Sequence, residues 1–254
     1  MLAPASCLVL AGLIALALAM DAEAQTKMKR IEPRELVRTT ESKYTVLQAG
    51  AEIGWEKISR DEYNDNTVEY RSDISLIFPH GAAIKIESRL VLEEESYFPL
   101  SFEIKKHMGQ GDVEYTMGTR YEWFANVAVV HKFSRDVADT SRVVLPAGTA
   151  VVDMGVAHHL YVPLYWYDGE AGGVQSFNVV DPFSRKVSTA TLRRQTAETV
   201  DVQSGQIEAD RYEFSRDKQT FKVYVDAGGR IVKVDQGFLL YELAEWSETV
   251  VQGK

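Results

Sequence analysis

Adjacent histidines at 158 and 159, with Asp153 upstream and Asp168 downstream, are the arrangement in the chain that most invites a metal or acid–base reading. Imidazoles and carboxylates hold zinc when three or four of them converge on one point. Neighbouring positions on a helix point about 100° apart, and no HExxH-type spacing supplies a third ligand. The pair therefore reads as core or helix-surface histidine, and no metal ligand is assigned. His80 falls in a turn beside Pro79, and His107 and His131 fall on separate strands, none of them next to a nucleophile. Ser215-Arg-Asp-Lys218 has the S-x-x-K spacing, yet that chemistry needs serine and lysine one helical turn apart, and here the four residues sit at a β turn. There is no GxSxG, no glycine-rich phosphate loop and no dinucleotide fingerprint. A hydrolase would need Asp153, Asp168 and Asp181 gathered by the fold, with burial raising one carboxyl pKa into a useful range. That is the weakest of three functional readings, so no catalytic residue and no cofactor is assigned.

The large aromatic side chains are the other chemical resource. Tyr161, Tyr165, Trp166 and Tyr167 cluster in the centre of the chain, and Tyr115, Tyr121, Trp123 and Phe124 in the first half. Such rings offer broad apolar faces with polar tips, suited to lining a concave site for an acyl chain or a glycan, and equally suited to packing a core.

The elements that must position these residues are strands. Gln206 to Glu248 reads as a β meander, with Tyr212 and Phe214, then Phe221, Val223 and Val225, then Ile231 and 238–240 on strand faces. Ala227-Gly-Gly-Arg230 supplies a tight turn and Arg216-Asp217-Lys218 a polar one. Earlier, 67–78 alternates sharply: Val68, Tyr70, Ile74, Leu76 and Phe78 on one face, Glu69, Arg71, Asp73 and Ser75 on the other. The same alternation recurs in 82–93 and 100–108, with Gly50 and Gly54 as bend or bulge positions and Gly118 as a break within 113–133. Strands about ten residues apart, with no βαβ signature, predict a sandwich, barrel or strongly curved sheet. The centre differs. From Thr149 to Trp166 the spacing of Val152, Val156, Leu160 and Leu164 predicts a helix, capped by Thr149 or Asp153 and disturbed at Pro163.

Residues 8–19 are an uncharged apolar run too short to span a bilayer, followed by Ala22-Glu23-Ala24, which reads as a signal peptide cleaved near Ala24. The expected product is periplasmic: an N-terminal arm at 25–42, a single β-rich domain at 43–250 and no transmembrane span. Cys7, the single cysteine, would leave with the signal, which excludes disulfides and thiol catalysis in the processed chain. The net charge of −9 falls to −7 without Asp21 and Glu23, arguing against nucleic acid as a partner.

The long first meander, the segment headed by Leu145-Pro146 and Asp153, and the hairpin around Asp226-Ala-Gly-Gly-Arg230 together resemble a family of uncharacterised periplasmic proteins related to the lipoprotein-carrier (Lol) half-barrels. The resemblance implies a single strongly curved antiparallel sheet, a half-barrel of two meanders, with the central helical segment packed on its concave side. It implies binding or carriage of an apolar or amphipathic envelope ligand, with an envelope protein as an alternative partner for a structural scaffold. Tyr115, Trp123, Val156, Leu160, Tyr161 and Trp166 are the expected ligand-lining residues.

Overall fold

The computed structural model describes residues 34–251 apart from 111, 112, 125, 135–137 and 154. The apolar leader, its cleavage motif and most of the expected arm lie outside the described residues. Eight strands follow one another as the first meander: β1 (Leu36–Gln48), β2 (Ala51–Tyr63), β3 (Thr67–Ile77), β4 (Ala83–Glu93), β5 (Pro99–Gln110), β6 (Val113–Phe124), β7 (Val127–Ser134) and β8 (Ala138–Val144). A short strand, β9 (Thr149–Val151), precedes the central segment. The second meander is β10 (Val174–Val180), β11 (Val187–Val202), β12 (Gly205–Arg216), β13 (Gln219–Asp226), β14 (Ile231–Asp235) and β15 (Leu240–Val250).

All fifteen strands belong to one sheet, in which each meander keeps its chain order and β1 pairs with β15 to join them. Every pairing is antiparallel except that of β9 with β10. The edges are β8 and β9, and only residues 145–148 separate them in the chain. A link of that length spans at most about 18 Å, so the two edges of a fifteen-stranded sheet must lie near each other. The sheet is rolled into an unclosed barrel. Contacts across the roll hold it: Tyr121 Oη donates to Pro182 O at 3.0 Å, and Arg185 Nη1 to Asp139 Oδ2 at 2.8 Å and Ser141 Oγ at 2.6 Å.

Local chemistry explains the strand boundaries. Ala49 and Gly50, and again Asp217 and Lys218, have positive φ at both central positions, the two-residue turn whose twist matches antiparallel strands. Ser215 therefore lies on β12 and Lys218 at the hairpin tip, and Ser215 Oγ bonds Thr220 Oγ1 at 2.9 Å. Gly118 does not break a strand, because β6 runs straight through it. A Cβ there would meet the Phe133 ring at 2.2 Å, so the glycine makes room for a neighbouring strand's aromatic. β1 begins at Leu36, inside the stretch expected to be an arm.

The central segment departs most from expectation. Instead of one helix over 149–166, the chain makes β9, a turn, a single 3₁₀ turn at Ala157–Leu160 and a six-residue helix, α1 (Tyr161–Trp166). Val152 N–H donates to Val180 O at 3.1 Å, extending the edge pairing beyond β9, and Asp153 Oδ1 accepts from Gly155 N–H at 2.9 Å to turn the chain. Pro163 sits in the first turn of α1, where its missing N–H has no intrahelical partner to lose. The segment fills the concave side of the roll, with Val152, Val156, Ala157, Leu160 and Val162 all buried in the main core.

Candidate functional site

Two polar assemblies lie on the concave side. The deeper is a closed chain of hydrogen bonds. Asp153 N–H donates to His159 Nδ1 at 2.9 Å, which makes Nδ1 the acceptor and Nε2 the protonated nitrogen. His159 Nε2–H then faces Ser88 Oγ at 3.1 Å, Ser88 faces His158 Nε2 at 3.4 Å, and His158 Nδ1–H faces Glu56 Oε1 at 3.4 Å. Glu56 also accepts from Ser72 Oγ at 2.9 Å and from Ala157 N–H at 3.2 Å. Burial, then His158 and Lys106 nearby, push the His159 pKa well below its ordinary value. Lys106 Nζ is itself held at 2.7 Å by Asp153 Oδ2. The Ser88–His158–Glu56 order resembles a nucleophile, base and acid, but both links are long. His158 and Glu56 are fully buried and Ser88 is 6% exposed, so no substrate carbonyl reaches the serine. The assembly pins the central segment to β2, β3 and β4.

The second assembly is an open cleft of about 710 Å³ at one end of the roll. It follows from cross-strand rows on the concave face. In one row Tyr70, Arg60, Thr40 and Glu248 are neighbours on β3, β2, β1 and β15; in the next, Ser72, Ile58, Ser42 and Trp246. The small Thr40 and Ser42 stand where the following rows carry Tyr44 and Val46, and this loss of side-chain volume opens the floor. A register shift between Lys43 and Tyr44 lets Trp246 join Tyr241 and Leu243 on the concave face despite the odd spacing. Tyr161, Leu164 and Tyr165 of α1 and Tyr97 of the β4–β5 loop form one wall, and the β13–β14 turn and Tyr212 the other.

Charge in the cleft is organised in pairs. Arg60 donates through Nε to Tyr70 Oη at 3.0 Å, through Nη2 to Tyr97 Oη at 3.1 Å and through Nη1 to Glu62. Burial works against its charge, but Tyr70, Tyr97 and Glu62 outweigh that and hold the guanidinium above its usual pKa. Arg38 Nε reaches Glu62 Oε2 at 2.7 Å, and its Nη1 reaches Glu248 Oε1 at 3.4 Å. Arg230 grips Asp226 Oδ2 through Nε at 3.0 Å and Nη2 at 2.6 Å, and lies 4.4 Å over the Trp246 ring. Asp226 Oδ1 accepts from Gly228 N–H and Arg230 N–H, so the turn is built to present that arginine.

Of the six residues expected to line a ligand site, the cleft takes Tyr161. Val156 and Leu160 are buried in the core, Trp123 packs on Tyr121 with ring centroids 5.5 Å apart, and Trp166 donates Nε1–H to Ser96 O at 2.8 Å. Tyr115, 41% exposed, sits at the far end of β6. Asp153, Asp168 and Asp181 are not brought together: Asp168 accepts from Glu170 and Ala171 N–H, and Asp181 from Phe183 and Ser184 N–H, each closing its own turn. Among the described residues no group of three or more His, Cys, Asp or Glu is placed to hold a metal ion. Sequence reasoning missed Arg38, Thr40, Ser42, Arg60, Arg230 and Trp246. The alternating polar residues of 38–42 were a usable signal, since they are the inward face of β1.

No family model and no curated protein matches the chain. Its fold is similar to that of a crystal structure from Brucella abortus described as a beta-barrel-like protein of a domain of unknown function, DUF1849. The TM-score is 0.57 with 8% sequence identity, over 84% of this chain and 98% of that one. At this identity the likeness is one of fold, a barrel-like β architecture shared with a protein of unknown function.

Proposed function

We propose that this protein is exported to the cell envelope and binds an amphipathic ligand in the cleft at the end of the roll, as a binding or carrier protein that catalyses no reaction. The observation that carries the reading is the cleft, in which rings of Tyr161, Tyr165 and Trp246 adjoin ion-paired Arg38, Arg60 and Arg230 within one concavity. Its volume falls within the roughly 300–1,000 Å³ of small-molecule sites. The interior behind it is occupied by the protein's own Val152, Val156 and Leu160, so the ligand sits at the mouth of the roll and not in a deep acyl tunnel. Export rests on the apolar run at 8–19 and the motif ending at Ala24. Gentle mass spectrometry of the purified protein should show a co-extracted small molecule, and a fluorescent fatty-acid probe should bind saturably. Bare protein that takes up no probe would remove the reading's main support.

A scaffold role is the second reading, and the filled interior favours it. It would use a groove of about 540 Å³ over β2, β1 and β15, lined by Trp55, Lys43, Lys57 and Glu245 and also by Ser42 and Trp246, which the cleft shares. Recovery of one envelope protein by wild type, lost on Trp55→Asp, would support this role.

A further inference from the structure

We infer that the part of the ligand held in this cleft is an uncharged saccharide ring, an inference that rests on the binding reading above and narrows it. Three guanidiniums and three carboxylates line the cleft, Arg38, Arg60 and Arg230 against Glu62, Asp226 and Glu248. The formal charges cancel, so no surplus positive potential compensates the desolvation of an anion. A purely apolar chain is disfavoured for the opposite reason, because it would cover these charged groups without offering them any hydrogen-bond partner.

A sugar ring satisfies both conditions. Its hydroxyls are donors and acceptors together, as needed beside guanidiniums that only donate and carboxylates that only accept. Its faces carry C–H groups that lie against aromatic rings, and Trp246 and Tyr165 offer these at 46% and 50% exposure. The recognising groups are held before any ligand arrives. Tyr165 stacks on Tyr97 with centroids 3.7 Å apart and an interplanar angle of 8°, and Arg230 is fixed by both its bond pair to Asp226 and the Trp246 face. Little side-chain freedom is left to lose on binding.

The saccharide has two possible sources, the headgroup of a glycolipid or a free glycan. Calorimetric titration of the whole purified protein separates them. The probes are neutral di- to tetrasaccharides of glucose, galactose, mannose and N-acetylglucosamine, a uronic-acid oligosaccharide, and octyl glucoside, octyl sulfate and decanoate below micelle formation. The expected result is saturable binding of at least one neutral saccharide or of octyl glucoside. Trp246→Ala should weaken it at least tenfold and Arg230→Lys severalfold, with Tyr115→Ala at the far end of β6 as the unaffected control and thermal unfolding confirming that each variant is folded. Binding of free saccharides identifies a glycan, and binding of octyl glucoside alone a glycolipid headgroup. Trp246-dependent binding of decanoate or octyl sulfate without any neutral sugar overturns the saccharide and leaves the amphipathic-ligand reading standing. Silence across all probes overturns both.

Discussion

His159 shows how one backbone bond fixes a protonation state. Because Asp153 N–H occupies Nδ1, a proton can be added there only by breaking that bond inside a buried site beside Lys106 and His158. The folded pKa lies well below the ordinary 6.5, so as pH falls below 6.5 the unfolded chain takes up a proton that the native state refuses. Stability is therefore full above about pH 6.5 and declines below it, with a slope approaching about 1.4 kcal/mol per pH unit for this one group. Urea unfolding at intervals between pH 7.5 and 5 measures the slope. His159→Gln can keep the acceptor toward Asp153 and the donor toward Ser88, so it should retain most of the stability at pH 7.5 and flatten the acid limb. An unchanged limb in that variant would place the titrating group elsewhere. The histidine pair was conspicuous in the sequence, but its partners Glu56, Ser72 and Ser88 lie on three different strands and carry no joint signal in one dimension.

At the level of elements, strands were legible where one face is wet and the other dry. β3 alternates because Tyr70, Ile74 and Leu76 are buried while Arg71 and Asp73 are exposed, and the period-two pattern reads that directly. The helix expected over 149–166 failed for the converse reason: residues 149–153 and 156–160 are all buried, so apolar spacing there carries no directional information and a period of four arises without a helix. β1 was entered late because its inward residues 38, 40 and 42 face a polar cleft, which erases the apolar half of the alternation just where function is proposed. Gly54 gives the sharpest element-level prediction. It has φ +156°, opposite Leu76, and a Cβ there would stand 1.9 Å from Ser75 O, a backbone atom that cannot swing away. Gly54→Ala should destabilise the protein by about 2 kcal/mol or more, read as a lower denaturation midpoint. A change within about 0.5 kcal/mol would mean that β2 and β3 separate there at little cost.

Across the whole molecule, two consecutive meanders zip together through β1 and β15 and roll until β8 and β9 approach, and the central segment fills the space this encloses. The roll leaves a concavity open above Thr40 and Ser42, walled by α1 and the β13–β14 turn. The barrel-like class was legible from strand spacing and turn chemistry. The cleft was not, because its walls come from residues 38–42, 58–62, 97, 161–165, 212, 225–230 and 246–248, which no local pattern connects. If this cleft is the working surface, ligand must slow the opening of its walls while leaving the interior of the sheet unchanged. Hydrogen exchange of the purified protein, with and without a small-molecule and lipid extract of the cell envelope, measures this directly. The account predicts slower exchange at 161–167 and 225–231 on adding extract, with 221–224 of β13 unaffected and the effect abolished by Trp246→Ala. Identical exchange in both walls with and without extract would contradict it.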